Sequence, residues 1–352
     1  MKKLSREKLS RFPEFDNHHS VFEFTSLGLG FKSFVAIHRI NKEMPSFGAT
    51  RLLKYESERA ALADVLRLSK VMTYKSALAG LPYGGAKAVI MMPPHFNTKR
   101  KAFLRSYARQ INWLDGRFIT GTDVGLTTAD VAKMKAHSRF FVGLQGDPST
   151  YTAYGILAAF EECLRFVYGT EDFSGRSVAI QGLGKVGSAL VALLVSRGAR
   201  VVAADVDAEK VRAIQSRFPG VKIVKPEVIH QEAVDIFAPC ALSGVITTRN
   251  IPELRCKIIA GGANNQLEDA NCAEALYQRG IVYAPDYVVN AGGLISVASE
   301  YARPSFDDAF VMGQVKAISN TIKNIFNLSR EKNKNPDVLA NELAEQIIHR
   351  YV

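Results

Sequence analysis

Two lysines, twelve positions apart, are the residues of this chain best suited to chemistry. Lys75 ends the run Met72-Thr73-Tyr74-Lys75, and Lys87 follows Gly84-Gly85-Ala86 and precedes an apolar stretch. One ammonium can hold a small carboxylate, and the other, crowded by the first and partly desolvated, can release its proton and do acid–base work. The glycine pair predicts a tight turn where a loop meets a buried strand. On local sequence alone, two surface lysines are an equally good interpretation.

A carboxylate in a glycine-rich loop is the next candidate. Asp123 stands between two glycines at the exit of a predicted strand, Arg117–Thr120. Glycines let the backbone approach a ligand closely, so Asp123 is well placed to shuttle a proton. Thr127 and Asp130 have the capping-box spacing and predict that a helix begins directly afterwards. A turn aspartate that accepts from its own backbone is the alternative interpretation.

A Gly-x-Gly-x-x-Gly pattern indicates a nucleotide site in the second half of the chain. It occupies residues 182–187, between a predicted strand, Ser177–Gln181, and a helical pattern. Such glycines allow a tight turn and close approach of a pyrophosphate to the helix N-terminus. A second predicted strand, Arg200–Ala204, leads to Asp205, where a carboxylate accepts from ribose hydroxyls and repels a 2′-phosphate, so we expect NAD rather than NADP. The residues expected to hold it here are Gly182, Gly184, Lys185, Val186, Gly187 and Asp205.

Length and composition predict a two-domain globular protein. The chain has 352 residues, 47% of them hydrophobic, and no apolar stretch approaches the roughly 20 residues of a membrane span. The basic N-terminus is followed by no apolar segment, so a secretory signal is not expected. The four cysteines show neither close pairing nor metal-ligand spacing, so we expect reduced thiols, no metal and a cytoplasmic location.

The net charge of +11 is concentrated in the first part of the chain. Residues 1–145 carry a net +13 and residues 146–352 a net −2. Steering of an anionic substrate is one interpretation of this excess, and nucleic-acid binding is another. Because the basic residues are dispersed and no nucleic-acid fold motif appears, we interpret the excess mostly as solvated surface. We expect neither a nucleic acid nor a membrane as partner.

Residues 1–145 predict a mixed α+β domain for substrate binding and oligomerisation. The last segment, residues 331–352, is expected to join this domain. The predicted elements are a strand over Ser33–His38, a loop over residues 44–48, a long helix from Ser57 toward Gly80 with Lys75 near its end, and a basic helix over Thr98–Leu114.

Residues 146–330 predict a doubly wound Rossmann domain, with a cleft between it and the first domain. A connecting helix, Thr152–Tyr168, leads into alternating strands and helices, which is typical of a parallel sheet. Ligand groups emerge at the carboxyl ends of such strands, and Cys240, Ala241 and Asn265 follow strand ends, so we expect them at the cofactor. The predicted strands are Ser177–Gln181, Arg200–Ala204, Lys222–Lys225, Asp235–Ala238, Lys257–Ala260 and Ile281–Ala284.

Taken together, the motifs resemble the Glu/Leu/Phe/Val family of amino acid dehydrogenases, and within it leucine dehydrogenase. The resemblance runs from about residue 20 to about residue 330, and the motifs occur in the family's order. Besides the motifs around Lys75, Lys87 and Asp123, those that carry the resemblance are Thr152-Ala153-Tyr154-Gly155, Ile236-Phe237-Ala238-Pro239-Cys240-Ala241, Asn265-Gln266-Leu267, Tyr283-Ala284-Pro285-Asp286-Tyr287 and Asn290-Ala291-Gly292-Gly293.

The resemblance implies an NAD-dependent enzyme that reversibly deaminates an L-amino acid to the 2-oxo acid and ammonia. It implies that Lys75 binds the substrate α-carboxylate and that Lys87 activates the water that attacks the imine or stabilises the resulting carbinolamine. Asp123 would shuttle the proton at nitrogen, and Asn265 would contact the substrate while hydride passes from Cα to the nicotinamide. Because members of the family form dimers, hexamers and octamers, a homo-oligomer is also implied.

The same resemblance locates a pocket for the substrate side chain. The positions that hold a distal carboxylate in the glutamate enzymes match Phe47 and Val297, which are apolar. A second carboxylate would be desolvated and unpaired there, so we expect rejection of glutamate and an apolar substrate of the leucine, valine or isoleucine type. Phe47 either narrows the pocket or stacks on an aromatic substrate. The wall is completed by Gly48, Gly121 and Leu294.

Several positions depart from the family's pattern without removing a catalytic group. They leave two other functions open: a dehydrogenase of tryptophan or phenylalanine, and a relative that couples 2-oxo acids in secondary metabolism. A binding protein without turnover is a further alternative, which the three retained catalytic side chains disfavour. The departures are Ala86 for a third glycine, Thr122 for glutamate, Gly121 for a frequent alanine, and Asp147 and Ser296 for asparagine.

Overall fold

Two sheets divide the protein into two units, which a computed structural model describes over residues 1–350. The first unit comprises Met1–Gly146, Val297–Phe306 and the segment that begins at Ala344, and the second comprises Asp147–Ser296 and Asp307–Leu343. This division differs from the predicted boundaries, because residues 331–343 belong to the second unit and Val297–Phe306 to the first. Tyr351 and Val352, part of the segment predicted to join the first domain, lie outside the described residues.

The first unit is a mixed sheet with helices on it. Its strands are β1 Lys2–Lys3, β2 Ser20–Ser26, β3 Phe31–Arg39, β4 Ser46–Phe47, β5 Thr50–Leu53, β6 Gly84–Met91 and β7 Phe118–Ile119, and its helices are α1 Arg6–Leu9, α2 Glu58–Leu78, α3 Arg100–Asn112 and α4 Thr128–Lys135. Strands β2 and β3 are antiparallel, β3 is antiparallel to β6, and β4 and β5 run parallel to β6. The strand order is β1-β2-β3-β6-β4-β7, with β5 also paired to β6.

Helix α2 covers one face of this sheet, as its apolar spacing predicts. It begins after Ser57, whose side chain accepts from the N–H of Ala60, in agreement with the predicted start. Phe103 of α3 packs on Phe31 with ring centroids 5.3 Å apart, which places α3 on the opposite face. The core under α2 contains Leu62, Val65 and Leu66 of the helix with Val21, Phe34, Ala36 and Val89 of the sheet.

The glycine pair before Lys87 is part of a strand and not the predicted turn. Strand β6 begins at Gly84 and is buried along almost its whole length. A Cβ at Gly85 would lie 2.0 Å from the backbone N of Thr73, and one at Gly84 would lie 2.1 Å from the carbonyl O of Arg39. These glycines are therefore needed because α2 and β3 lie directly against β6, which local sequence does not reveal.

The predicted loop over residues 44–48 contains a short strand. Strand β4 lies between β6 and β7 and is parallel to both, so that Phe47 is opposite Gly85 and Ile119. A strand of only two residues is too short to show the alternation of apolar and polar residues by which strands are predicted from sequence.

Glu300 explains why residues 297–306 belong to the first unit. Its side chain is almost fully buried, and its Oε2 accepts from three successive backbone N–H groups, those of Gly143, Leu144 and Gln145, at 2.8, 3.0 and 3.1 Å. Lys135 Nζ lies 3.2 Å from Oε1 and balances the charge. The carboxylate thus fixes the loop that precedes the second unit.

The second unit is a six-stranded parallel sheet in the part of the chain that the structure describes. Its strands are β8 Ser177–Gln181, β9 Arg200–Ala204, β10 Lys222–Ile223, β11 Ile236–Pro239, β12 Ile258–Ile259 and β13 Val282–Tyr283. The order β10-β9-β8-β11-β12-β13 is the Rossmann order, with its switch point between β8 and β11. The predicted α/β class and doubly wound second domain are therefore confirmed.

The remaining helices connect or follow these strands. Helix α5 starts one turn earlier than predicted, because Asp147 is its N-cap and accepts from the N–H of Ser149 at 3.0 Å. The helices are α5 Pro148–Tyr168, α6 Lys185–Ser196, α7 Ala208–Arg217, α8 Ala270–Gln278, α9 Asp286–Val289, α10 Gly292–Ala302, α11 Asp308–Lys316, α12 Ile318–Lys332 and α13 Pro336–Ile348.

The contact between α2 and β6 gives a test of the fold. We expect Gly85→Ala to lower the free energy of unfolding by about 2 kcal/mol or more, since backbone atoms would have to move. Gly220→Ala is the matched control, because a Cβ there meets no atom within 4 Å. Urea unfolding of both variants measures the difference, and equal midpoints would contradict the close packing of α2 on β6.

Candidate functional site

Three charged side chains lie between the sheet of the first unit and α2. Gly85 faces α2, and Lys87, two residues further along the same strand, faces the same way because strand side chains alternate. Arg51 is in register with Val89, which belongs to the core under α2, so Arg51 faces α2 as well. Asp64 of α2 meets Arg51 from the other side. The register of two parallel strands therefore assembles a buried ionic layer.

The structure brings Lys87 and Asp123 into direct contact. Lys87 Nζ lies 2.6 Å from Asp123 Oδ2, and their side chains are only 8% and 14% exposed. Arg51 Nε donates to the same oxygen at 3.2 Å, and the backbone N–H of Val124 donates to Asp123 Oδ1 at 2.7 Å. Both carboxylate oxygens are thus bonded, and the alternative of a turn aspartate is partly correct because Val124 is its neighbour.

Asp123 remains ionised in this environment. Burial raises the pKa of its carboxyl, but the positive charges of Lys87 and Arg51 outweigh burial and lower the pKa to about 2. A carboxylate that stays charged next to an ammonium at 2.6 Å can exchange a proton with it or with a ligand amine.

Lys75 lies in the last turn of α2, as predicted, and is 8% exposed. Thr73, two residues before it, is the residue against which Gly85 packs. Lys75 and Lys87 therefore come from two elements whose backbones lie in close contact. Both lysines are buried, so the interpretation of two surface lysines is wrong.

The expected side-chain pocket is aromatic in the first unit. Phe47 is 1% exposed and packs on Tyr83 with ring centroids 4.4 Å apart. Tyr301 meets Phe47 edge-on at 5.4 Å. Since two tyrosine rings already contact the phenylalanine ring, Phe47 fills space within this cluster.

Two other residues of the expected pocket are glycines at positions where close backbone contacts leave no room for a side chain. A Cβ at Gly48 would lie 1.7 Å from the carbonyl O of Ala86, and one at Gly121 would lie 2.9 Å from the carbonyl O of Val142. Val297 is half-buried near Gly143, where an added Cβ would lie 3.5 Å from its Cγ1. Leu294, in contrast, is buried on α10 within the second unit.

The glycine fingerprint of the second unit fits a dinucleotide pyrophosphate. Gly182 has φ of 102°, and a Cβ at Gly187 would lie 1.9 Å from the carbonyl O of Gly182, so neither position tolerates a side chain. Gly184 is the N-cap of α6, which has no side-chain cap, and an added Cβ there meets no atom within 4 Å. Open space thus adjoins the N–H groups of the first turn, which Lys185 and Val186 begin.

Asp205 lies where the ribose of a dinucleotide is expected. It follows β9, and its carboxylate accepts from the N–H of Leu183 at 2.6 Å and from that of Asp207 at 2.8 Å. These bonds fix the side chain beside the glycine loop. Cys240 is held nearby, since its N–H donates to the carbonyl O of Gln181 at 2.7 Å, and a Cβ at Gly182 would lie 2.6 Å from that of Ala241.

Asn265 lies in a loop after β12 that other side chains hold in shape. Its φ is 51°, a left-handed conformation that asparagine tolerates. The next residue, Gln266, is fully buried, and its backbone N–H donates to Asp286 Oδ2 at 2.8 Å. The Gln266 side chain donates to two carbonyls of the same loop, those of Gly261 and Ala263. The loop is therefore rigid around Asn265.

The sequence reasoning missed Arg51, Asp64 and Asp286 as parts of these sites. A charged residue within the run Thr50-Arg51-Leu52-Leu53 was the available signal for Arg51. Among residues 1–350, the structure has no cluster of three or more His, Cys, Asp or Glu side chains that could hold a metal ion.

Comparisons with known proteins agree with this geometry. The family model described as the Glu/Leu/Phe/Val dehydrogenase dimerisation domain matches residues 26–139, and the one described as Glutamate/Leucine/Phenylalanine/Valine dehydrogenase matches residues 143–209 and 204–348. The chain belongs to this family. It is an amino acid dehydrogenase with a nucleotide-binding domain, as the motifs predict.

Relatives with three substrates are about equally similar. Leucine dehydrogenase from Bacillus cereus is 38% identical over 91% of this chain and 87% of its own, and phenylalanine dehydrogenase from Thermoactinomyces intermedius is 40% identical over the same shares. The crystal structure of L-tryptophan dehydrogenase from Nostoc punctiforme has a TM-score of 0.81 and 39% identity, and covers 95% of this chain and 96% of that chain. In residues 1–350, no helix is long and apolar enough to cross a membrane.

Asp286, which holds the Asn265 loop, also lies near Asp337, and this gives a prediction of how stability depends on pH. Burial, and then the charge of Asp286, raise the pKa of Asp337 on α13 to about 6, above its ordinary value of 3.8. Folding thus favours the protonated carboxyl, and this stability is fully present below pH 4 and lost as the pH rises through 6. We expect Asp337→Asn to raise the free energy of unfolding at pH 8 by about 2 kcal/mol and to change it little at pH 4.

The matched control is Glu342→Gln on the same helix. The pKa of this exposed carboxyl is lowered by Lys334, so its removal should destabilise the protein at pH 8. Urea unfolding at both pH values tests the pair. A loss of stability at pH 8 in Asp337→Asn would contradict the assignment.

Proposed function

We propose that this dehydrogenase catalyses the reversible NAD-dependent oxidative deamination of an apolar L-amino acid. The products are the 2-oxo acid and ammonia. The observation that carries the proposal is the buried pair of Lys87 Nζ and Asp123 Oδ2 at 2.6 Å, on the sheet face that α2 and Lys75 cover. Two cations and one carboxylate complement a substrate with one carboxylate and one amine.

In this mechanism Lys75 binds the α-carboxylate. Its buried ammonium would form a charge-assisted bond that a neutral side chain could not replace. Asp123 accepts a proton from the substrate ammonium, so that the free amine can push electrons toward Cα. Asn265 would contact the substrate amino group, and its rigid loop favours a fixed orientation.

The glycine fingerprint of the second unit and Asp205 would hold NAD, which would supply the acceptor for the hydride that leaves Cα. Lys87 then removes a proton from the water that attacks the resulting substrate imine. Asp123 returns a proton to nitrogen, the C–N bond breaks, and ammonia leaves as the carbonyl forms. The preference for NAD over NADP is supported by Asp205, because its carboxylate would repel a 2′-phosphate.

An apolar substrate side chain is supported by Phe47 and its partners. With Tyr83 and Tyr301 on its ring, Phe47 would limit the length of the substrate side chain, which favours leucine, valine or isoleucine. Phe47 and Val297 are apolar and offer no cation to a distal carboxylate, so glutamate would be rejected.

A second candidate is an aromatic L-amino acid. It is favoured by the 39–40% identity to L-tryptophan and phenylalanine dehydrogenases, which is no lower than the 38% identity to leucine dehydrogenase. A homo-oligomer is part of the proposal, supported by the dimerisation domain that the family model describes.

The experiment that tests the function is NADH formation at alkaline pH by the purified protein, with a panel of L-amino acids and with NAD or NADP. We expect turnover of leucine, valine and isoleucine with NAD, and none of glutamate. Turnover confined to phenylalanine and tryptophan would support the second candidate. If no amino acid reduces either cofactor, the proposal fails, and mass spectrometry of 2-oxo acid mixtures would then test the coupling reaction.

Single substitutions test the proposed roles. Lys87→Ala and Asp123→Asn should each lower kcat by about two to four decades, as lost acid–base groups do. Lys133→Ala is the control, because Lys133 is exposed on α4. Steady-state kinetics with the best substrate of the panel decides, and near-normal turnover in either variant would exclude that role.

A further inference from the structure

Arg51 is a half-buried cation that no step of the proposed reaction uses. Its side chain is 15% exposed although it is charged, and its guanidinium bridges two carboxylates. Nε donates to Asp123 Oδ2 at 3.2 Å, and Nη1 donates to Asp64 Oδ2 at 3.0 Å. Arg51 thus contacts the same oxygen of Asp123 as Lys87 does.

Asp64 fixes Arg51 from α2. Its Oδ2 also accepts from the hydroxyl of Tyr55 at 2.8 Å. Burial and the charge of Asp64 raise the pKa of Tyr55, so its hydroxyl stays protonated and remains a donor. Arg67 binds the other oxygen, Oδ1, from an exposed position, at 2.7 Å.

The two cations at Asp123 differ in chemistry. Lys87 must release its proton in the proposed reaction, and a neutral amine no longer balances the carboxylate. A guanidinium is not deprotonated in proteins, so Arg51 keeps its charge throughout. Without it, the carboxylate of Asp123 would have no counter-ion whenever Lys87 is neutral, and Asp123 would not readily give up a proton that it has taken from the substrate.

We propose that Arg51 is a positioning residue, a permanent cation that fixes Asp123 Oδ2 and balances the charge of the carboxylate while Lys87 exchanges its proton, with Asp64 and Tyr55 holding Arg51 in place. The proposal rests on the proposed function for the roles of Lys87 and Asp123. It adds to that function a reason why Lys87 can alternate between ammonium and amine beside a carboxylate. The groups that face Arg51 and Asp123 are Lys87 of β6, Val124 N–H of the loop after β7, Tyr55 after β5, and Asp64 of α2.

The test is a kinetic double-mutant cycle with Arg51→Gln and Asp123→Asn. Arg51→Gln should lower kcat about 10- to 100-fold, since a misplaced catalytic group costs this much. In the Asp123→Asn background, Arg51→Gln should cause little further loss, because its effect passes through Asp123. A structural role alone would give losses that multiply. Multiplied losses, or near-normal kcat in Arg51→Gln, would overturn the proposal.

Two further variants separate charge from packing. Arg51→Lys keeps the positive charge and should recover most of the kcat that Arg51→Gln loses. Arg67→Gln is the matched control, since it removes an equal charge from Asp64 without contact to Asp123, and kcat should stay at the native value. If Arg67→Gln lowered kcat as much as Arg51→Gln, the loss would come from the net positive charge near the site and not from contact with Asp123. This result would overturn the proposal.

The cycle also has an arm that needs no turnover. Thermal unfolding midpoints of the native chain, both single variants and the double variant should show shifts that are less than additive, because both substitutions break one contact. If the panel finds no substrate, the proposed function fails while this arm still measures the coupling. If the panel succeeds and the shifts are additive, the Arg51 proposal alone fails.

Discussion

The buried contact between Lys87 and Asp123 is the interaction on which the first unit depends. Removing two charges from water is costly, and their attraction offsets the cost only where further hydrogen bonds complete the pair. Here Arg51 and the N–H of Val124 complete it. These donors come from a strand and a loop that are distant in sequence from Lys87. A correct sheet register is therefore a condition for the pair, and a chain selected for stability alone has little reason to keep it.

Glycines make this ionic layer possible by removing side chains from the contacts around it. Gly85 lets α2 lie directly on β6, and Gly48 lets its own backbone approach the carbonyl of Ala86. With the backbones this close, water has little access to Lys87, and each electrostatic interaction gains strength. In the second unit, Gly184 instead leaves open space at a helix N-terminus. The same residue type thus excludes solvent in one unit and admits a ligand in the other.

Local signals in the sequence were sufficient wherever the structure is local. The start of α2 at Ser57, the capping box at Thr127 and the strand–glycine–helix unit around Gly182 all follow from neighbours within a few residues. Arg51 could not be predicted, because β5 has four residues and its partner Asp123 is 72 positions away. The glycines before Lys87 were misinterpreted for the same reason, since Thr73 of α2 decides their role. These contacts depend on how strands and helices that are distant in sequence pack together, and the spacing of apolar residues within one element does not reveal this packing.

The reaction class can be predicted from the sequence, whereas the substrate cannot, because different residues determine the two. The ionic layer is built from residues embedded in strands and in α2, so replacing one disturbs the others. The side-chain wall is set by separate residues such as Phe47, whose ring packs on Tyr83 and Tyr301. Such a wall can change without cost to the chemistry. Substrate choice therefore depends on a few contacts that neither motif order nor overall identity reports.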